Sequence, residues 1–203
     1  MQAFRQSASQ YGSFTASFTV DTQVYGTTTI TASGVSVAIN RFVILPQVVS
    51  VLPSAGTVGT IVTVAGIGYA ANDALAIAFG TNAGIQTAAA SQYGSFTASF
   101  AVDTQVYGTT TITVSGVSVA TNRFVILPQV VSVLPLAGTV GTIVTISGTG
   151  YAAGNVLTVA FGTNVGIQTA AASQYGSFTT SFTVDTQVYG TTTITVSGVS
   201  VAT

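Results

Sequence analysis

The string SQYGSFTASFTVDTQVYGTTTIT begins at Ser9, and nearly the same string begins again at Ser91 and at Ser173, a fixed spacing of 82 residues. That period is too long for a solenoid rung, which takes about 20–50 residues. It is long enough for one unit to bury a core of its own. The chain is therefore expected to be a series of similar domains rather than one fold built around one site. A catalytic site needs its residues once; a structure made by repetition needs them many times.

Prolines mark the unit boundary, because LPQVVSVLP reads as a linker entering a new domain. One complete unit then spans Gln47–Pro128. Inside it, short β-branched runs at Val48–Leu52, Thr60–Tyr69 and Leu75–Gly80 are separated by the turns SAGTVG and AAND. IQTAAAS is a weaker strand because of its alanines. GSFTASFAV shows the clearest alternation, with Phe96, Ala98, Phe100 and Val102 on one face and Ser95, Thr97, Ser99 and Ala101 on the other. Gly108–Gly116 and Asn122–Leu127 complete the unit. Short strands with regular turns and no helical periodicity predict an all-β chain of tandem immunoglobulin-like antiparallel β-sandwich repeats. The expected division is a distinct N-terminal arm at residues 1–8, the back half of a repeat at 9–46, a complete repeat at 47–128, and a repeat at 129–203 lacking its last strand.

VLPSAGTVGTIVTVAGIGYA and VLPLAGTVGTIVTISGTGYA resemble the opening strands of IPT/TIG-type bacterial immunoglobulin-like domains, and YGSFTASF…YGTTTIT resembles the back half of such repeats. The resemblance spans the unit. It implies a stalk, spacer or adhesive module of a cell-surface protein, with no catalytic residues to carry over. Ordinary members carry many more charges than this chain.

Composition narrows the function further. Charged residues make up 3% of the chain, as three Arg and four Asp, with no Lys, Glu, His, Cys or Trp; a soluble domain ordinarily carries about 25%. Without His, Cys, Lys or Glu the usual general bases and activated nucleophiles are missing, so no enzyme is expected. The His and Cys ligands of zinc, iron and copper are absent, and one Asp per repeat is a poor calcium cage, so neither metal nor cofactor is expected. A net charge of -1 gives nucleic acid no basic patch. No apolar run approaches the roughly 20 residues of a membrane span, and MQAFRQSASQ has no apolar core of a signal peptide. A neutral Thr/Ser surface lacks the repulsion that keeps molecules apart and suits material meant to associate. With no disulfides, this points to a prokaryotic extracellular or cell-surface protein.

Four sets of residues stand out. Asp21, Asp103 and Asp185 share the segment VDTQVYG, where an Asp caps its own turn; the alternative pairs Asp21 with Arg41 and Asp103 with Arg123 as orienting ion pairs. Tyr25, Tyr107 and Tyr189 follow the same turn, and Tyr11, Tyr93 and Tyr175 precede the Phe strand. They read as half-buried rings with wet hydroxyls, or, for Tyr25, Tyr107 and Tyr189, as a strip that stacks on glycans. The GTTTIT runs read as half-exposed strand threonines, since an ice-binding array recurs on every strand. None of the six Asn begins a glycosylation sequon.

The first and last segments expose part-units. Either the chain is a window on a longer array, or open edges complete one another between molecules by strand or domain complementation. The expected function is a non-enzymatic structural protein of a filament, sheath, surface layer or adhesin stalk, with further copies of itself as partners, head-to-tail and laterally. The alternative is a glycan- or surface-binding module.

Overall fold

A computed structural model describes residues 6–199 and 201–202. Residues 1–5 of the N-terminal arm, including Arg5, lie outside the described residues. Among those described there is no helix, and the chain runs through seventeen strands.

The first segment contributes one hairpin, β1 (Gly26–Ser33) and β2 (Val37–Ile44), in antiparallel register from Gly26↔Ile44 to Ser33↔Val37. The preceding Phe segment, expected to form a strand here as it does in the later copies, is not one: Phe14 and Phe18 stay half-exposed in irregular chain. The second unit supplies the reason. There the same sequence pairs along its length with a strand from the front half of the unit, and among the described residues no strand lies beside the first copy.

The second unit consists of β3 (Gln47–Leu52), β4 (Ala55–Gly56), β5 (Ile61–Ile67), β6 (Ala74–Phe79), β7 (Asn82–Ala89), β8 (Phe96–Ala101), β9 (Gly108–Ser115) and β10 (Val119–Ile126). They form two sheets, in the orders β3-β5-β8 and β4-β10-β9-β6-β7. All pairs are antiparallel except β4 with β10, where Ala55 and Gly56 run parallel to Val125 and Ile126. The chain thus crosses from one sheet to the other within its first two strands, and the unit is an immunoglobulin-like β-sandwich.

Strand alternation builds the core. On β8 buried and exposed residues alternate without exception, putting Phe96, Ala98 and Phe100 inside. They meet Leu75, Ile77 and Phe79 of β6, Ile112 and Val114 of β9, and Phe124 of β10. Phe79 lies between Phe100 and Phe124, with ring centroids 5.4 and 5.6 Å away. Each fully buried Phe contributes about 1.5–3 kcal/mol of transfer free energy, so this cluster dominates the stability of the unit.

The third unit repeats the plan with β11 (Gln129–Leu134), β12 (Ile143–Thr149), β13 (Val156–Phe161), β14 (Asn164–Ala171), β15 (Phe178–Thr183), β16 (Ile194–Ser197) and β17 (Val201–Ala202). Its sheets run β11-β12-β15 and β14-β13-β16-β17. Among the described residues two of β17 lie beside β16, and Phe161 and Ile194 are half-buried where their counterparts Phe79 and Ile112 are closed off.

Candidate functional site

The recurring VDTQVYG segment lies between β8 and β9 in the second unit and between β15 and β16 in the third. Asp103 accepts a hydrogen bond from Asn82 Nδ2, in the turn between β6 and β7, and another from Gln105 Nε2 at 3.1 Å. Gln105 also donates to the Phe79 carbonyl at 3.5 Å. In the third unit Asp185 accepts from Asn164 Nδ2 and from Gln187 Nε2 at 2.8 Å, while Gln187 reaches the Phe161 carbonyl at 3.4 Å. The hydrogen bonds from Gln187 and then Asn164 hold the Asp185 carboxyl below its ordinary range. In both units the loop is clamped to the neighbouring β-turn by side-chain amides. Asp21 accepts from Gln23 Nε2 at 2.7 Å.

The two arginines are placed on strands. Arg41 stands opposite Thr29 in the β1–β2 ladder, and Arg123 opposite Thr111 between β9 and β10; both are exposed. In each case the Oδ1 of the preceding Asn accepts the backbone N–H of the Arg at 2.8 Å. The fourth acid, Asp73, accepts the Val117 N–H at 2.8 Å and so ties the turn between β9 and β10 to the β5–β6 loop. Among the described residues no three acids come together in a metal-binding group.

What the tyrosines build is a joint between units. Tyr25 donates its backbone N–H to the Tyr69 carbonyl of the second unit at 2.9 Å. One period later, Tyr107 donates to the Tyr151 carbonyl of the third unit at 3.1 Å. Each acceptor tyrosine is anchored in turn, because its own N–H donates to Gly94 or Gly176 at 3.0 Å. Those glycines sit in SQYGS turns in which the first Ser Oγ accepts two backbone N–H groups at 3.2 Å.

Glycine is required at the contact. Gly94 and Gly176 have φ of 74° and 76°, and a Cβ at either would run into the Tyr69 or Tyr151 carbonyl. The same Cβ would lie 3.2 Å from the Cα of Val24 or Val106, across the joint. The linkers pass equally close, since Gly68 and Gly150 lie against the carbonyls of Leu45 and Leu127.

Tyr69 and Tyr151 hold the acceptor side rigid. Both rings are fully buried and meet Phe96 and Phe178 edge-on at 5.2 Å. Burial pushes both phenols up to about 12. Neither tyrosine stood out as a site residue in the sequence. The signal was there in a different form: VYG, GxGY and SQYGS recur together at one spacing.

Among the described residues the sheet faces carry hydroxyls and small apolar side chains, with Arg41 and Arg123 as their charges. Thr109 and Thr111 of β9 point outward, and on the opposite sheet Thr63 and Ser99 hydroxyls meet at 2.9 Å, as do Thr145 and Ser181.

No family model matches the chain, and no curated protein matches it. Among solved structures, it is similar to the tetra-tandem repeat in the extending region of a large adhesion protein, with 18% identity over 76% of this chain and 44% of that one and a TM-score of 0.34. It is also similar to SGBP-B from a complex xyloglucan utilization locus in Bacteroides uniformis, with 16% identity over 77% of this chain and 47% of that one and a TM-score of 0.29. A 1.5-MDa bacterial ice-binding adhesin gives 12% identity, coverage of 82% and 67%, and a TM-score of 0.26. The chain spans less than half the length of the first two. At these values the likenesses carry no argument about function, which rests on the geometry of the chain itself.

Proposed function

We propose that this chain is a non-enzymatic, extracellular structural protein of a prokaryote: a segment or subunit of a stalk, sheath, surface layer or filament assembled from immunoglobulin-like repeats of the IPT/TIG type. The observation that carries the reading is the repetition of the joint. The same backbone donor, acceptor and glycine cradle connect the first unit to the second and the second to the third, with hydrogen bonds of 2.9 and 3.1 Å. Identical joints extend an array at constant geometry, which serves a spacer and does nothing for a single site.

The neutral surface supports self-association as the mode of assembly. Lateral contact between faces of Thr, Ser, Ala and Val has little Coulomb repulsion to overcome. Head-to-tail contact joins surfaces that the described units leave uncovered, namely the apolar face of the β1–β2 hairpin and the half-buried Phe161 and Ile194 beside β16. Strand or domain complementation between copies is the form this contact takes.

The test is sedimentation velocity of the purified chain over a concentration series at low and high salt. The reading predicts association that grows with concentration and is unchanged by salt. A chain that stays monomeric throughout, or whose assemblies fall apart in moderate salt, overturns it. A glycan array run in parallel checks the alternative: binding lost on Tyr189→Ala would make this a binding module.

A further inference from the structure

The Val-Tyr-Gly loop occurs three times, and the structure shows it both covered and uncovered. Val24 and Val106, seated in joints, are 37% and 39% exposed, whereas Val188, on which no described unit is seated, is 90% exposed. Tyr107 is 38% exposed and Tyr189 103%. Where the joint is made, each of these side chains is left less than half as exposed as in the uncovered copy, and the backbone hydrogen bond is made besides.

The uncovered loop keeps the side-chain clamp of the seated one, although residues 190–193 after it lie outside any strand where the matching residues 108–111 belong to β9. Its clamp in the third unit, Asp185 with Asn164 and Gln187 and Gln187 with the Phe161 carbonyl, matches the clamp of the covered loop in the second. The receiving side, in its occupied form, is built on the buried ring of Tyr151 and the closed Ser173–Ser177 turn.

We propose that the Val-Tyr-Gly loop is a coupling plug, and that the Gly-Tyr loop together with the Ser-Gln-Tyr-Gly-Ser turn is its socket. The pair locks successive units at one fixed orientation, so the array is a stiff rod rather than a flexible string. The partner that fits the uncovered plug at Val188–Tyr189 is a further unit carrying the same socket. This goes beyond the proposed function, because the lock operates inside one chain whether or not copies associate.

The experiment measures the distance between two spin labels in the chain. The protein has no cysteine, so Thr97→Cys and Thr179→Cys place one label on each of the exposed, equivalent positions of β8 and β15. Double electron–electron resonance then gives the distance distribution between the second and third units. The expected result is one narrow distribution in the otherwise unchanged chain. It broadens severalfold in Tyr107→Pro, which removes the N–H that crosses the joint, and in Val106→Asp, which puts a carboxylate into it. The second variant decides the matter if the first fails to fold, and circular dichroism shows which has folded. A distribution already broad without either variant overturns the proposal, as does one that stays narrow in a folded variant, which would mean that the linker at Pro128 sets the angle without the plug.

Discussion

Tyr69 and Tyr151 each serve two structures at once. The ring closes the core of its own unit, and the backbone carbonyl receives the unit before it. Burial raises both phenols from the ordinary 10.0 to about 12. The folded units thus hold the phenolic protons more tightly than the unfolded chain does. Their contribution to stability is complete below pH 10 and is lost as the pH rises toward 12. Phenolate absorbance followed with circular dichroism should show these two tyrosines ionising only as β-structure is lost. Ionisation of all eight tyrosines ahead of any change in dichroism would contradict this. At this scale the sequence was only partly legible. Asp103 reads as a turn former, but its clamp to Asn82 depends on a residue 21 positions upstream. The joint is made of backbone N–H and C=O groups and of the space beside glycines, and residue type does not show where a main chain points.

The hairpin β1–β2 and the hairpin β9–β10 have nearly the same sequence in different surroundings. Phe124 of β10 is 0% exposed between the two sheets, and its counterpart Phe42 of β2 is 41% exposed. Phe124→Ala should therefore cost about 3–5 kcal/mol in a urea melt of the second unit, while Phe42→Ala should cost less than about 1 kcal/mol. Equal costs would mean that β2 is packed in solution as β10 is. Trypsin probes the same contrast. Arg123 lies on a strand flanked by β4 and β9, whereas Arg41 lies in a two-stranded hairpin, which has little stability of its own. Limited digestion should cut at Arg41 first and at Arg123 only on unfolding; early cleavage at Arg123 would count against the sandwich. Strands were the most legible level. The alternation in GSFTASFAV put the right residues inside because a strand half-buried on one face has a period of two. The Ala55–Gly56 strand escaped, since two residues in a glycine-containing turn carry no period. The alanine-rich run predicted as weak forms the eight-residue β7, lying along the alanines of β6.

Over the whole molecule, a spacing of 82 residues in the sequence becomes a joint that recurs at the same atoms. The second and third copies each gather a buried core of their own, while the first leaves Phe14, Phe18 and Phe42 exposed. How consecutive units couple did not follow from the repeat, since it depends on which loops meet across a linker. Under the proposed function, the few charges and the repeated joints act together in an assembled array. The most direct measurement is electron microscopy of the native material with its intact mass. The account predicts long, straight filaments or rods, whether their subunit is the 20.3 kDa chain or a much longer covalent array of the same repeats. Discrete 20.3 kDa monomers with no extended assembly would contradict it.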